Sequence, residues 1–215
     1  MIKKTFGTFG GVFTPTTLTI LGVIMFIREP WMVGNAGVIG SLVIILLSVL
    51  ITLTTALSLS SITTNIRIGA GGAFSLISQS LGLEIGGAIG VPFYFAQAIA
   101  VAMYIFGFRE GLQILVPGVM PIVLDLAIFS LVMLIAFIST SFAFKIQYVI
   151  LGVIVLSIGS IYGSLFVNEL NYDFEWLGTY PGSIENNFEG SSFWIVFAVF
   201  FPAVTGVMAG ANMSG

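Results

Sequence analysis

Long apolar segments, separated by short polar ones, make up most of this chain of 215 residues. A helix that crosses a bilayer needs about 20 predominantly apolar residues. Five segments reach that length, and a sixth opens near residue 191. The five predicted spans are residues 8–27, 36–62, 84–112, 119–139 and 146–167, and the polar stretch 168–190 precedes the sixth. This pattern predicts an all-α polytopic membrane protein.

The first predicted span is interrupted by a proline among threonines. Pro15 cannot donate to the helix, and its ring clashes with the carbonyl one turn earlier. Unwinding here would expose the carbonyls of residues 18–21 as cation ligands. The amides of Gly22, Val23 and Ile24 would then open the next half-helix, and such a terminus suits a small anion. The alternative is an ordinary proline kink with threonine hydroxyls bonded to the helix backbone.

The sixth span carries a similar interruption. Pro202, Thr205 and Gly206 follow one another closely, and a Gly-Val pair stands in both interruptions. The Thr205 hydroxyl is a candidate cation ligand, and the amides of residues 206–208 are candidate anion ligands. Matched breaks in corresponding halves of a membrane protein are the best sequence indication of a transporter's central site.

A single tyrosine stands within the apolar third span. The hydroxyl of Tyr104 could complete a cation shell that faces the broken helices. The alternative is an interfacial residue, since tyrosine is common where membrane helices meet water.

Charged residues within or at the ends of spans are functional candidates by default. Arg28 and Glu110 are predicted at the same side of the membrane, where their pairing could close an outer vestibule. The alternative is local pairing of Arg28 with Glu29 and of Glu110 with Arg109. Asp125 is interpreted as an interfacial cap near the start of the fourth span.

Composition excludes most other classes of protein. The chain is 58% hydrophobic and 7% charged, with a mean hydropathy of +1.14, so its solvent must be lipid. It has no cysteine and no histidine, which removes thiol chemistry, histidine catalysis and the usual transition-metal sites. No enzyme is predicted. The net charge of −3 without a basic run argues against nucleic acid as a partner.

The placement of basic residues predicts a cytoplasmic N terminus. Four basic residues would then lie inside and two outside; those inside are Lys3, Lys4, Arg67 and Lys145. Between spans two and three, the glycine run 69–72 leads into a predicted short interfacial helix. Its apolar face comprises Ala73, Phe74, Ile77 and Leu81.

Several motifs together carry a resemblance to a known family. These are Gly22–Arg28, Trp31, Val33–Gly37, Thr63–Asn65 with Gly71-Gly72, Ile77–Gly82, Glu84, Gly86–Gly90, Ala102–Tyr104 and Phe200–Gly210. In this order they resemble the N-terminal half of the cation–chloride cotransporters. The chain is similar to a prokaryotic relative of the Na-K-Cl and K-Cl cotransporters, within the amino acid–polyamine–organocation superfamily.

The resemblance implies a LeuT-type fold of two inverted five-helix repeats, in which helices one and six are broken. Residues 1–190 would form the first repeat, with the acidic loop 168–190 outside the cell. Residues 191–215 would begin the second repeat. The implied function is symport of chloride with potassium, sodium or both by alternating access across the plasma membrane, without a cofactor.

The resemblance also implies roles for individual residues. The potassium ligands would be the carbonyls of Thr19, Ile20 and Pro202 and the hydroxyls of Tyr104 and Thr205. One chloride would bind the amides of Gly22, Val23 and Ile24, and a second those of Gly206, Val207 and Met208. A sodium ion would take the carbonyls of Leu18 and Leu21. Arg28 and Glu110 match the extracellular gate pair.

Two departures limit the match. The family usually has asparagine where Thr19 stands, and its helices eight and ten would lie beyond Gly215. The chain is therefore expected to be a fragment or a truncated product that does not transport alone. Its expected partners are the bilayer, inorganic ions, the second half of the transporter and, as a further assembly, a second copy.

Two other functions stay open at the level of sequence. One is an amino-acid permease of the same superfamily, although Leu21-Gly22-Val23-Ile24 leaves little room for a substrate carboxylate. The other, from a different class, is a membrane assembly partner that does not transport.

Overall fold

The structure is a computed structural model, which describes residues 7–65, 71–138, 140–167, 174–183, 188–207 and 209. Its helices are α1 (Thr14–Ile20), α2 (Val23–Asn65), α3 (Gly72–Leu81), α4 (Leu83–Leu115), α5 (Pro121–Ile138), α6 (Thr140–Val167) and α7 (Phe193–Phe200). A π-helical turn, Phe9–Phe13, precedes α1, and a 3-10 turn, Phe201–Val204, follows α7. Two short strands, β1 (Gly182–Ser183) and β2 (Phe188–Glu189), pair antiparallel.

The prediction of an all-α membrane protein is confirmed. Within the described residues, four helical segments are long and apolar enough to cross a bilayer, and the first, Phe9–Asn65, has 57 residues. At 1.5 Å per residue it would extend about 85 Å if straight, nearly three times the thickness of the hydrocarbon core. This segment therefore contains two spans, which meet at Gly37, where the helix has non-helical angles. The third to fifth spans correspond to α4, α5 and α6.

The first span does not end at residue 27, as the hydropathy pattern predicts. The helix continues through Arg28 and Asn35 to Gly37. Its polar side chains do not stop it because they have partners: Arg28 pairs with Glu110, and Asn35 bonds to a distant loop. Lys3, Lys4 and Arg67, which support the predicted orientation, lie outside the described residues, as do 66–70 and 210–215.

Main-chain groups of the loop before α7 bind the start of the second span. Gly37 has φ 67° and ψ −178°, so the amides that follow it are not bonded within the helix. Val38 donates its N–H to the carbonyl of Glu175 at 3.0 Å, and Ile39 donates to that of Trp176 at 3.1 Å. The loop thereby satisfies amides that would otherwise be unpaired at a helix start.

The same loop also binds the end of the first span. The N–H groups of Gly178 and Tyr180 donate to the carbonyls of Ala36 and Asn35 at 3.1 and 3.0 Å. A Cβ atom at Gly37 would lie 2.6 Å from the nitrogen of Gly178, so the two backbones approach too closely for a side chain. Glycine is required at Gly37 on both counts, its positive φ and this contact.

The side chain of Asn35 completes this junction. It is 2% exposed, and its Oδ1 accepts from the N–H of Gly182 at 2.8 Å and from the hydroxyl of Ser191 at 3.1 Å. Its Nδ2 donates to the carbonyls of Trp31 and Gly182. One buried amide therefore ties the first span, the short hairpin and the approach to α7 together.

The buried core lies where the first two spans pack against α7. It comprises Ile24, Met32, Ala36, Ile44, Val196, Phe200 and Ala203. Val196 and Phe200 are 0% and 3% exposed, although α7 has only eight residues. Ser192 caps α7, since its hydroxyl accepts from the N–H of Ile195 at 3.4 Å. The packing places the first broken span directly beside the sixth.

The short helix predicted after the glycine run is confirmed as α3, but its predicted apolar face is wrong in part. Ala73 and Leu76 are buried, whereas Phe74 and Leu81 are 43% and 61% exposed. The reason is that α4 follows directly after Gly82 and packs against α3. The buried face of α3 is thus set by its neighbour.

We predict that Asn35→Leu destabilises the junction between the first two spans and the loop. The change leaves the N–H of Gly182 and the hydroxyl of Ser191 without their acceptor, which costs about 1–3 kcal/mol. Asn65→Leu is the matched control, because the exposed Asn65 side chain bonds only to a carbonyl of its own helix. Thermal unfolding in detergent should show a lower midpoint for Asn35→Leu alone; equal midpoints would contradict this role.

Candidate ion site at two helix breaks

The first helix is broken between Ile20 and Val23. Leu21 leaves the helical region with φ −80° and ψ 37°, and α2 begins two residues later. Leu21 donates its N–H to Thr17 at 2.8 Å, and Met25 donates to Gly22 at 3.1 Å. Among the described residues, no main-chain bond reaches the carbonyls of 18–21 or the amides of 22–24. Acceptors and donors without partners therefore face each other across the break.

Pro15 does not cause this break, contrary to the sequence interpretation. Pro15 lies within a helical stretch that runs from the π-helical turn into α1 without interruption, and the helix leaves the helical region only at Leu21. The hydroxyls of Thr14 and Thr19 donate to the carbonyls of Phe9 and Pro15 at 2.9 and 2.8 Å. Threonine bonding to the backbone and a helix break thus occur together.

Gly22 is confined by the carbonyls that flank the break. A Cβ atom at Gly22 would lie 3.2 Å from the Thr19 oxygen and 3.3 Å from the Leu18 oxygen. Such contacts are tighter than those that Cβ atoms normally make, so a side chain here would displace both carbonyls. A side chain at position 22 would therefore change the positions of candidate cation ligands.

The sixth span is broken at Thr205 and Gly206. After the 3-10 turn, Thr205 is extended at φ −79° and ψ 165°, and Gly206 has φ 121°. The carbonyl of Pro202 accepts both the hydroxyl of Thr205 at 2.8 Å and its N–H at 3.3 Å. The hydroxyl proton is thereby directed at Pro202, and the Thr205 oxygen keeps lone pairs for another partner. Gly206 in turn accepts from Ala209 at 2.9 Å.

The two breaks touch each other. A Cβ atom at Gly206 would overlap the Cγ2 atom of Thr19 and lie 2.9 Å from its Cβ. The structure thus brings the region of Thr19 and Ile20 together with that of Pro202 and Thr205. Met208, a predicted chloride ligand, lies outside the described residues.

Tyr104 lies on α4, partly buried against the core that surrounds the breaks. Its ring lines an apolar cavity of about 450 Å³ between α4 and α5, which Val23 also lines. Tyr104 and the first residue of α2 therefore line the same cavity.

A second cavity, of about 610 Å³, is lined by residues close in sequence to the breaks and by charged residues. Ile24 and Pro202 line one part of it, and Arg28, Arg109 and Glu110 line another. Arg28 donates to both carboxylate oxygens of Glu110, at 3.1 and 2.8 Å. These side chains are 34% and 43% exposed. A bidentate ion pair thus joins α2 and α4 at this cavity.

The local ion pairs considered from the sequence do not form. Arg28 bonds to Glu110 and not to its neighbour Glu29, while Arg109 bonds to Asp125 of α5 at 2.8 Å. The interpretation of Asp125 as an interfacial cap is wrong for this reason. Hydropathy gave no signal for the pair of Arg109 with Asp125, because the two residues lie on different helices. It gave none for Asn35 either, because that side chain bonds to residues of a separate segment.

The described residues contain no group of three or more carboxylate, histidine or cysteine side chains that could hold a metal ion. The candidate ligands at the breaks are main-chain groups and hydroxyls, which suit alkali cations and halides.

Comparison with known proteins assigns the chain to a family. The family model described as amino acid permease matches residues 11–215. The chain therefore belongs to the amino acid permease family.

Within that family the chain is similar to particular solute carriers. It is 40% identical to solute carrier family 12 member 2 of Squalus acanthias and 39% identical to the human protein of that name. It is 39% identical to solute carrier family 12 member 1 of Oryctolagus cuniculus. The alignments cover 98% of this chain but only 19–21% of these relatives, so the chain spans about a fifth of their length. The resemblance to the cation–chloride cotransporters is confirmed, and these relatives are transporters, not enzymes.

We predict that Gly206 and Thr19 are energetically coupled because the two breaks are in contact. Gly206→Ala places a side chain at φ 121° and against Thr19, and backbone strain alone should cost about 1–3 kcal/mol. Thr19→Ser removes the overlapping methyl group and should recover part of that loss. Gly34→Ala is the control, since a Cβ there meets no atom within 4 Å.

Thermal unfolding of the two single variants and the double variant measures this coupling. The sum of the two single changes gives the stability expected of the double variant without coupling. A double variant more stable than this sum supports contact between the breaks. Strictly additive changes would contradict it.

Proposed function

We propose that this chain is the first part of a symporter that couples chloride to potassium, sodium or both by alternating access. The observation that carries the proposal is the contact between two helix breaks. At the first break, carbonyls and amides have no main-chain partner among the described residues. In a bilayer such groups are tolerated only where they line a cavity or bind a ligand. Membership of a permease family and similarity to solute carriers support the same conclusion.

The proposed potassium site consists of the carbonyls of Thr19, Ile20 and Pro202 with the hydroxyls of Thr205 and Tyr104. Carbonyl oxygens can replace the hydration shell of potassium, as they do in channels. The contact of Gly206 with Thr19 supports a shared shell, since it brings the two helices that supply most of the ligands together. A sodium ion, where it is coupled, would use the carbonyls of Leu18 and Leu21.

The proposed chloride sites are the amides that follow each break. Gly22 directly precedes α2, which begins with Val23 and Ile24, and the dipole of α2 places partial positive charge at that end. Gly206, Val207 and Met208 would hold a second chloride. The cation and anion sites then share one break, so each ion lowers the electrostatic cost of binding the other. That attraction is the proposed physical basis of coupling.

The ion pair of Arg28 with Glu110 is proposed as the extracellular gate. It bridges α2 and α4 at the cavity that Ile24 and Pro202 also line, and its partial exposure allows water to compete for it. Rupture of the pair would let the two helices separate and open the path to the ions.

The proposed setting is a LeuT-type fold in the plasma membrane, with a cytoplasmic N terminus. The second half of the transporter is the proposed partner, and a homodimer is the further assembly. The family model favours one competing function, uptake of an amino acid. The bulky residues on both sides of Gly22, Leu21 and Val23, favour inorganic ions. Replacement of chloride by gluconate and competition with a panel of amino acids would distinguish the two functions.

We predict that Tyr104→Phe weakens potassium dependence without loss of folding. The change removes one hydroxyl at nearly constant volume, and one lost ligand should cost about 1–3 kcal/mol of cation binding. Rubidium uptake into proteoliposomes, measured against cation concentration in the complete transporter, gives the apparent affinity. Tyr94→Phe is the matched control on the same helix, because Tyr94 is 71% exposed. Identical cation dependence in both variants would exclude Tyr104 as a ligand.

We predict that exchange of the gate charges restores function. Arg28→Glu and Glu110→Arg should each lower chloride-dependent uptake, because each leaves two like charges facing one another across the cavity. The double exchange rebuilds an ion pair and should recover part of the activity. A double-mutant cycle measures the coupling, and effects that simply add would show that the two residues act independently.

A further inference from the structure

Four charged side chains lie close together where α2, α4 and α5 approach one another. They could pair in two ways, because Glu110 could accept from Arg28 or from its sequence neighbour Arg109. The structure contains the pairs Arg28 with Glu110 and Arg109 with Asp125. Asp125 is therefore the carboxylate that pairs with Arg109.

The two pairs differ in geometry. The pair with Glu110 is bidentate, whereas Arg109 gives Asp125 one hydrogen bond, at 2.8 Å. Arg109 and Asp125 are 28% and 15% exposed, less than the residues of the other pair. Within the described residues the buried Nε of Arg109 and Oδ1 of Asp125 have no partner. The guanidinium of Arg109 also lies 5.1 Å from the centre of the Phe106 ring. Arg109 is thus directed along α4 toward α5 by two contacts.

Arg109 has one evident alternative acceptor. It lines the same cavity as Arg28 and Glu110, and a guanidinium in these surroundings cannot lose its charge. Without the carboxylate of Asp125, an unpaired cation would stand beside Glu110, and a long flexible side chain could reach it. Glu110 would then be shared between two arginines, and Arg28 would lose its exclusive partner.

We propose that Asp125 is a positioning residue for the gate: by holding Arg109, it leaves Glu110 free to pair with Arg28. This inference rests on the proposed gate function of that pair. It makes an asymmetric prediction about the ion pair of Arg109 and Asp125. Loss of the carboxylate should open the gate, whereas loss of the arginine should leave it shut, although both changes break the same bond.

The absence of cysteine from these 215 residues allows a direct test in the complete transporter, with any cysteine elsewhere replaced by serine. Ala102→Cys places a reporter in the cavity that reaches the gate. The rate of its modification by a membrane-impermeant methanethiosulfonate, added outside, measures access. Gly118→Cys, in the turn between α4 and α5, is the positive control, because its modification shows that the reagent is active and reaches the protein. Glu110→Gln, which removes the gate directly, sets the rate expected of an open gate.

We expect Asp125→Asn to raise the modification rate severalfold, close to that of Glu110→Gln. Asp125→Glu keeps the carboxylate, so its modification rate should stay near that of Ala102→Cys alone. The rate for Arg109→Gln should also stay near that value. Two double variants separate the effect of the charge from misfolding. In combination with Asp125→Asn, Arg109→Lys keeps a cation that can compete for Glu110, whereas Arg109→Gln removes it. Only the lysine variant should be open.

Equal increases for Asp125→Asn and Arg109→Gln would overturn the proposal, because a purely structural ion pair predicts that symmetry. Equal rates for the two double variants would overturn it as well. If Glu110→Gln itself leaves the rate unchanged, the gate function fails, and this inference fails with it. If Glu110→Gln opens the gate and Asp125→Asn does not, only the role of Asp125 is rejected.

Discussion

The fold depends on one constraint: a polar main-chain group within a bilayer must find a partner. Two interruptions in the first helical segment meet this constraint differently. At Gly37 the protein supplies the partners itself, since Glu175, Trp176 and the following loop residues bond to the amides and carbonyls that the kink releases. At Leu21 and Gly22 the described part of the chain supplies none. The interruption at Gly37 is structural, whereas the one at Leu21 and Gly22 is the proposed ion site.

These two interruptions belong to one mechanical unit. The loop that binds the kink at Gly37 leads directly to α7, whose residues Val196 and Phe200 pack against the first two spans. The sixth span is thereby held beside the first, and Gly206 comes to rest against Thr19. A site made from two broken helices requires such a restraint, because main-chain ligands have no side-chain flexibility with which to correct an error in helix position.

Local sequence predicts what depends on local physics. Hydropathy located α4, α5 and α6 within a few residues, and the residues around Gly22 and Gly206 indicated both breaks. Proline was a poorer guide, because the helix continues through Pro15 and breaks at Leu21 and Gly22 instead. Contacts between distant segments were not predictable from periodicity. Asn35, for example, bonds to Gly182, which lies 147 residues away in sequence.

The charged residues illustrate the same division. Arg28 and Glu110 were candidates because each ends an apolar span, but the sequence also allowed each to pair with a neighbour. Only the arrangement of α4 and α5 shows that Asp125 takes Arg109 and leaves Glu110 to Arg28. Ion pairs between separate membrane helices depend on helix rotation, which a hydropathy profile does not contain.

We propose above all that the carbonyls and amides at the first break, which have no main-chain partner in the described part of the chain, bind ions of opposite charge. Anomalous diffraction from crystals of the complete transporter, grown with rubidium and bromide, tests this most directly. We expect a bromide peak against the amides of Gly22, Val23 and Ile24, and a rubidium peak among the carbonyls of Thr19, Ile20 and Pro202. A break that lacks both peaks, with its carbonyls and amides bonded to side chains from the rest of the protein, would contradict the claim.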